Sequence, residues 1–573
     1  MINIEVNNRS VEANEGETIL SAVRRQGIDI PTLCHIEGMT PTGACRLCVV
    51  EIEGRDGLVP SCAYPVSDGM RILTHSPRAI QARRTVVELL LAEHPDDCLY
   101  CERSGNCELQ SIAQQLGIRE RRYAGMRNTQ HADISSPAIV RDPAKCILCG
   151  KCVRVCEEIQ GVSAIDFARR GSDSRIATAF EEGLNVSSCV NCGQCVRVCP
   201  TGALREQSAI KDVWAALNDP DTVVVAQHAP AISVTIGEAF GLEPGKDVAG
   251  LLTAALRRLG VDRVFDTAFS ADLTILEEAS ELVQRITENG PLPMMTSCSP
   301  GWIKFVEQFY PDFTDNLSTC KSPQQMLGAV IKNYYAEQQG IAPEKVFSFS
   351  IMPCTAKKFE AGRVEMTENG IPDIDAVLTT REFIRMLNTR SIELKELTPD
   401  TADTPFGERT TAGKIFGATG GVMEAAVRTA YHLITGRELD NLDVKAVRGF
   451  DGVKEAHLDI NGTDVGVAVV NGLGNVSALL DEIRGGRDDL HFIEVMTCPG
   501  GCINGGGQPL GTNPEAVTAR LKALYQLDSK GPARVSHKNE SVQRLYREFL
   551  GKPLGERSHK FLHTQYAKRE VLL

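Results

Sequence analysis

Twenty cysteines in 573 residues dominate the chemistry open to this chain. Two segments are copies of one motif. CILCGKCVRVC supplies Cys146, Cys149, Cys152 and Cys156. CVNCGQCVRVCP supplies Cys189, Cys192, Cys195 and Cys199, each 43 positions after its counterpart. In the C-x2-C-x2-C-x3-C run three thiolates wrap one [4Fe–4S] cubane and the fourth crosses to the neighbouring one. The expected ligand sets are Cys146, Cys149 and Cys152 with Cys199, and Cys189, Cys192 and Cys195 with Cys156. Gly150 and Gly193 let the backbone turn around each cluster.

Two further groups precede this repeat. Cys34, Cys45, Cys48 and Cys62 are spaced C-x10-C-x2-C-x13-C between strand-like segments. Four thiolates on the loops of a small β-rich unit suit a [2Fe–2S] cluster. His94, Cys98, Cys101 and Cys107 form H-x3-C-x2-C-x5-C, which suits a cluster with one imidazole ligand. Zinc is open for both groups on spacing alone. One [2Fe–2S] and three [4Fe–4S] centres in series would make a wire, so the residues after about 210 should hold one of its ends.

The elements that position these groups follow from periodicity. Ile2, Ile4 and Val6 alternate as a first strand. AIQARRTVVELLLAEH, residues 79–94, reads as an amphipathic helix ahead of the second group. Fifteen of the cysteines lie before residue 200, and the rest of the chain reads as a large α/β unit. The expected units are a β-grasp-like [2Fe–2S] ferredoxin domain at 1–78, a [4Fe–4S] module with one histidine and three cysteine ligands at 79–136, a two-cluster ferredoxin domain at 137–208 and a catalytic α/β domain at 209–573, together a multidomain α+β chain. A net charge of −13 argues against nucleic acid as a partner. No apolar run is long enough to span a membrane, and the N-terminus lacks a secretory pattern, so a cytoplasmic protein is expected.

Three cysteine-bearing segments stand out in the large unit: TSCSPGW (296–302), IMPCTAKKFE (351–360) and EVMTCPGGCINGGGQP (494–509). The three consecutive glycines suit a backbone passing close to a compact inorganic group. Glu278 and Glu281 share a helix face, with Arg285 four residues beyond as a salt-bridge partner; taken alone, such a face is usually solvated. Cys320 reads as a buried apolar thiol. GATGGVMEAAV reads as a helix start, and no dinucleotide or Walker motif is complete.

These three segments resemble the signatures of the iron-only, or [FeFe], hydrogenases, and the likeness extends along the whole chain. The N-terminal modules resemble the long multi-cluster form of that family, and the first two also resemble the large iron–sulfur subunit of respiratory complex I. GERSHKFLHTQY resembles the family's small-subunit tail, here fused. The resemblance implies an H-cluster, a [4Fe–4S] cubane joined to a two-iron unit with CO, cyanide and azadithiolate ligands. Cys354, Cys498 and Cys502 would hold the cubane, with Cys502 as the bridge. Ser299 stands where the family has the fourth cysteine. Cys298, Glu278, Ser318, Glu281 and Arg285 match the proton path, and Lys357 matches the lysine that pairs with a cyanide. Pro230, Gln324, Met352 and Met496 match residues packed around the two-iron unit, while Ala231 and Ala356 replace frequent serines. The implied reaction is reversible conversion of H2 to protons and electrons, with ferredoxin or flavin- and NAD-binding subunits as electron partners. The alternative is an electron-transfer or sensory subunit on the same fold with an altered or absent H-cluster.

Overall fold

The computed structural model describes residues 1–127 and 130–571, so residues 128 and 129 of the expected 79–136 module lie outside the described residues. The first unit is a five-stranded sheet in the order Arg9–Ala13, Ile2–Val6, Arg71–Leu73, Val49–Ile52, Val59–Pro60. Ile4 and Val6 point into its core with helix Ile19–Arg25, as the alternation predicts. That helix starts where the Thr18 side chain accepts from the Ser21 N–H, satisfying one of the orphan donors of a first turn.

The next helix, Pro77–Glu93, begins two residues earlier than its apolar pattern because Ser76 caps it and Pro77 fits its first turn. Leu33, Leu47, Val87, Leu109 and Ile112 form a small core, with Cys45, Cys107 and Ile147 packed against it. All three accessory units therefore meet at one apolar seam. In the repeat, helices Lys151–Arg154 and Gln194–Val198 each follow a left-handed glycine, Gly150 at φ 74° and Gly193 at φ 72°.

The large unit holds two four-stranded sheets. One is wholly parallel, in the order Arg263–Asp266, Val223–His228, Val346–Met352, Ala376–Thr379. Its strands are near-continuous apolar runs because helices cover both faces. The other runs Met294–Met295, Leu490–Met496, Thr463–Asn471, Val453–Ile460. Its first three strands are parallel and the last pairs antiparallel at the edge, where polar residues alternate outward. Helix Thr267–Thr287 is buried along most of its length. GATGGVMEAAV does open a helix, Gly421–Thr435, behind left-handed Gly420.

The carboxyl ends of the parallel strands are where open α/β sheets place their ligands. Here Val223–His228 leads to Pro230, Val346–Met352 to Cys354, Met294–Met295 to Cys298 and Leu490–Met496 to Cys498. Near the C-terminus, residues 562–564 pair with 319–321: the Lys321 N–H donates to the Leu562 carbonyl at 2.7 Å and the Thr564 N–H to the Thr319 carbonyl at 2.7 Å. Among the described residues no helix is long and apolar enough to cross a membrane.

Candidate functional site

A cavity of about 850 Å³ lies where these strand ends converge. Its wall includes Cys298, Ser299, Cys354, Cys498 and Cys502, together with Pro230, Gln324, Met352, Met496 and Lys357. The three cysteine segments, separate in sequence, are thus brought to one place. Burial pushes the Cys354 and Cys502 thiols up to about 12 and raises Cys498 as well. Three convergent sulfurs on an apolar wall fit an iron–sulfur cubane, since soft thiolates select such clusters and their charge is bearable there only against a cation. Ala231 and Ala356 also line the wall.

Ser299 is the exception in this donor set. Its Oγ lies 2.8 Å from Thr497 Oγ1 and accepts from the Thr497 N–H at 3.3 Å. It opens helix Pro300–Phe309 without capping it. The hydroxyl therefore ties the first cysteine segment to the residue just before Cys498. Thr497 had no signal in the sequence, being one threonine among many.

The glycine run reaches the cavity wall at Gly505, as its composition suggests, and has a second reason to be glycine. A Cβ on Gly505 would collide with the Pro353 carbonyl, and one on Gly506 with the Cys192 carbonyl; at Gly507 it would lie 3.0 Å from the Pro353 carbonyl carbon. The three residues are glycine because two other backbones press against them. Gly501 does have a left-handed φ, 90°, beside the Thr419 N–H.

Glu278 and Glu281 are not a solvated face, being 1% and 6% exposed. Ser318 Oγ donates to Glu281 Oε2 at 3.1 Å, and Arg285 Nη2 donates to Glu281 Oε1 at 2.6 Å. Arg285 is the expected i,i+4 partner, and it also reaches the Leu317 carbonyl at 2.7 Å. Burial, with the Glu281 charge as a second cause, lifts the Glu278 carboxyl to about 8. Burial, then Glu278, raises the Cys298 thiol well above its ordinary value. Lys357 Nζ sits between Glu360, at 3.0 Å, and the Cys298 carbonyl, at 3.1 Å. Gln324 Nε2 donates to the same Glu360 at 3.1 Å. Cys320 is fully buried, as its sequence context suggests, but its thiol faces Glu281 at 3.9 Å instead of apolar groups alone.

The accessory cysteines gather in sets. One cavity, about 450 Å³, is lined by Cys146, Cys149, Cys152 and Cys199, and another, about 470 Å³, by Cys156, Cys189, Cys192 and Cys195. Cys34 contacts Cys45 and Cys62, and Cys48 contacts Cys62. His94 Nδ1 meets the Pro95 carbonyl at 3.1 Å, while its buried Nε2 has no protein partner and burial holds the ring neutral. A buried, orphaned imidazole nitrogen four residues before Cys98 fits a metal ligand.

The inner copy of the repeat docks on the large unit. Thr355 Oγ1 donates to the Asn191 carbonyl at 2.6 Å, Lys304 Nζ to the Cys189 carbonyl at 2.7 Å and Arg197 Nη1 to the Asn504 carbonyl at 2.8 Å. Cys192 itself lines the large cavity. The second module meets the end of the same copy: the Glu108 N–H and Arg103 Nη2 donate to the Pro200 and Cys199 carbonyls, each at 3.0 Å, where Cys199 joins the cysteine set of the outer copy.

Comparison with known proteins agrees with this layout. Residues 222–506 match the family described as iron only hydrogenase large subunit, C-terminal domain, and 514–569 match iron hydrogenase small subunit. Residues 1–77 match a 2Fe-2S iron-sulfur cluster binding domain, 83–122 an NADH-ubiquinone oxidoreductase-G iron-sulfur binding region and 145–203 a 4Fe-4S dicluster domain. These descriptions favour iron–sulfur over zinc. The chain is 48% identical to the NADP-reducing hydrogenase subunit HndD of Solidesulfovibrio fructosivorans over the full length of both. It is 41% identical to iron hydrogenase 1 of Clostridium pasteurianum, over 99% of this chain and all of that one. A solved structure of apo [FeFe]-hydrogenase HydA1 from Chlamydomonas reinhardtii superimposes with a TM-score of 0.58 at 42% identity, covering 64% of this chain and all of that one. Sequence, fold and the cysteine-lined cavity lead to one assignment: this chain is an enzyme of the iron-only, or [FeFe], hydrogenase family, with iron–sulfur domains ahead of its catalytic domain.

Proposed function

We propose that the chain interconverts H2 with two protons and two electrons at an H-cluster. The observation that carries this reading is the set of buried groups leading outward from the cavity: Cys298, then Glu278, whose carboxyl oxygens have no hydrogen-bond partner in the protein, then Ser318, Glu281 and Arg285, which are hydrogen-bonded in series. Cys354, Cys498 and Cys502 would hold the cubane, Cys502 as the bridge to the two-iron unit. When bound, that unit supplies the two-electron chemistry of H2, and the chain handles the protons.

Cys298 carries a proton at the cavity wall, and Glu278 takes it up or returns it. A carboxyl lifted to about 8 both accepts and donates near neutral pH, which is the condition for an efficient acid–base group. Ser318 passes the proton to Glu281. Arg285 stays charged, so it orients Glu281 instead of carrying the proton. Lys357, fixed by Glu360, presents a positive charge to the cavity. Pro230, Gln324, Met352 and Met496 shape the wall and exclude water.

Electrons would travel along one [2Fe–2S] cluster at Cys34, Cys45, Cys48 and Cys62 and three accessory [4Fe–4S] clusters. His94, Cys98, Cys101 and Cys107 would hold the first of these three, and the two crossed sets of the repeat the others. The name of the relative HndD, an NADP-reducing hydrogenase subunit, supports NAD(P)-linked or flavin-binding partner subunits, with ferredoxin as the other candidate carrier. A cytoplasmic setting goes with those carriers.

The test is anaerobic turnover. The chain loaded with the two-iron cofactor is expected to oxidise H2 with a low-potential dye and to show CO and cyanide infrared bands. Ser299→Cys should hold the cubane iron longer against a chelator. The Ser299–Thr497 hydrogen bond favours one competing reading, an electron-transfer or sensory subunit with an altered or absent H-cluster. Missing infrared bands, with an iron count that stops at the accessory clusters, would establish that reading instead.

A further inference from the structure

The run of groups just described leaves the protein beside Arg285, yet Glu281 has a second neighbour. Thr319 Oγ1 donates to Glu281 Oε2 at 3.2 Å and lies 2.8 Å from His563 Nδ1. His563 Nε2 in turn lies 3.1 Å from Glu277 Oε2. One buried imidazole thus spans two acids of the same helix, Glu281 through a hydroxyl and Glu277 directly. The backbone pairing of 562–564 with 319–321 fixes this register.

The surroundings suit passage of a proton. Glu277 is fully buried and is also held by the Tyr546 and Ser558 hydroxyls and the Leu554 N–H. Burial alone would raise its carboxyl, but His563 and these donors outweigh it and hold it below the ordinary value. The groups facing His563 are Glu277 and Glu281 from the long helix, Thr319 and the Cys320 thiol from the paired segment, and His559. The His559 ring, exposed on helix Glu556–Leu562, lies 4.3 Å from that of His563 between centroids. A proton on His563 is therefore one imidazole from water.

We propose that His563 is a second mouth of the proton path, linking Glu281 to the surface through Thr319 on one side and His559 on the other. This rests on the hydrogen-turnover reading above. In the outward direction the Glu281 carboxyl gives its proton to the Thr319 oxygen while the Thr319 hydroxyl proton moves to His563 Nδ1. The imidazolium then releases the proton on Nε2, to Glu277 or by way of His559 to water. No electron moves; the step leaves Glu281 ionised and His563 in its other tautomer, and the cycle closes when Glu281 takes the next proton from Ser318, the Thr319 hydroxyl rotates back toward His563 and the imidazole proton returns to Nε2. An imidazole is suited to this because its two nitrogens accept and release on opposite sides. The alternative is that His563 only clamps the C-terminal segment.

The experiment uses the full holoenzyme and two near-isosteric changes, Thr319→Val and His563→Gln, each alone and with Arg285→Met. Alone, each should lower kcat about twofold with KM for H2 unchanged. With Arg285→Met the loss should grow to about tenfold or more, because removing positioned acid–base groups has effects of that order or larger. The solvent isotope effect should rise in parallel, and Thr319→Ser should restore both. Exchange of the histidine C2 hydrogen, followed by mass spectrometry, reads His563 without turnover. Its titration midpoint should move in Glu281→Gln, and Thr319→Val should weaken that coupling. Unchanged kcat and isotope effect in folded Thr319→Val, with a His563 titration indifferent to Glu281, would overturn the proposal in favour of the clamp. If the unmodified chain turns over no H2, the hydrogenase reading falls, and the exchange experiment still decides whether His563 and Glu281 are coupled.

Discussion

Gly150 and Gly193 occupy equivalent places in the two copies of the cysteine motif, with left-handed φ of 74° and 72°. A methyl added to Gly150 would meet the rim of Phe167 at 3.3 Å, a ring that is 52% exposed, whereas at Gly193 it would collide with the Thr355 hydroxyl. The copies share what a cluster needs and differ in everything around it. The outer copy meets the second module through Lys151, paired with Glu108, and through Ile147 in their shared apolar core. The inner copy offers the Cys189, Asn191 and Cys192 carbonyls to the catalytic region. The motif specifies a cluster, and its neighbours specify which way that cluster faces along the chain of centres.

The largest effect should come from breaking the inner contact at its tightest point. Gly506→Ala sets a methyl against the Cys192 carbonyl, and overpacking of this kind costs about 3 kcal/mol or more. Thermal unfolding should show it, together with slowed reduction of the catalytic centre by the accessory clusters. Gly202→Ala at the outer contact, with its methyl 2.8 Å from Cys101 Sγ, should perturb the signal of the His94 module and spare the inner cluster. Next comes the glycine pair. Gly150→Ala should cost about 1–2 kcal/mol for the left-handed backbone alone. Gly193→Ala should cost more, and a Thr355→Ala partner should recover the excess in a double-mutant cycle.

A smaller difference is expected for two lysines. Lys304→Met leaves the Cys189 carbonyl without its buried donor, a loss of about 1–3 kcal/mol. Removing that positive charge should also lower the potential of the inner cluster in a redox titration. Lys151→Met breaks a 3.3 Å pair with Glu108, whose carboxylate is 45% exposed, and should cost about 1 kcal/mol or less. None of these electron-side changes should move the pH profile of H2 production. Burial keeps Glu278 protonated up to about 8. A carboxyl raised in this way is the protonated donor below about pH 8 and is ionised as pH rises through that value. Proton delivery should therefore fall on the alkaline side, and Glu278→Gln should abolish that inflection while Lys304→Met leaves it in place.

Much of this is legible in the sequence because local spacing encodes it. The 43-residue repeat foretells the two crossed sets that line separate cavities. The alternation of Ile4 and Val6 foretells the first sheet. The resemblance brings together three segments that spacing alone could not, since Cys298, Cys354 and Cys498 meet only through strand order. What is not legible depends on partners far away in sequence. Thr497 on Ser299, Lys304 on Cys189 and His563 beside Thr319 are ordinary residues until the fold juxtaposes them. The glycine triplet is legible only in part for the same reason: Gly505 does line the cavity, but the Pro353 and Cys192 backbones that press on the run have no signal in the sequence.

Lys304 is a buried cation whose acceptor belongs to a different unit of the same chain. Were the catalytic region on its own, that ammonium, the Thr355 hydroxyl and the bare glycine edge would form a shallow socket facing water, shaped for the loop of a separate iron–sulfur protein. Covalent linkage fills this socket permanently and replaces a collision between two proteins by a standing contact at high effective concentration. On the proposed hydrogen-turnover reading, the final electron step into the cavity would then be independent of how much carrier the solution holds.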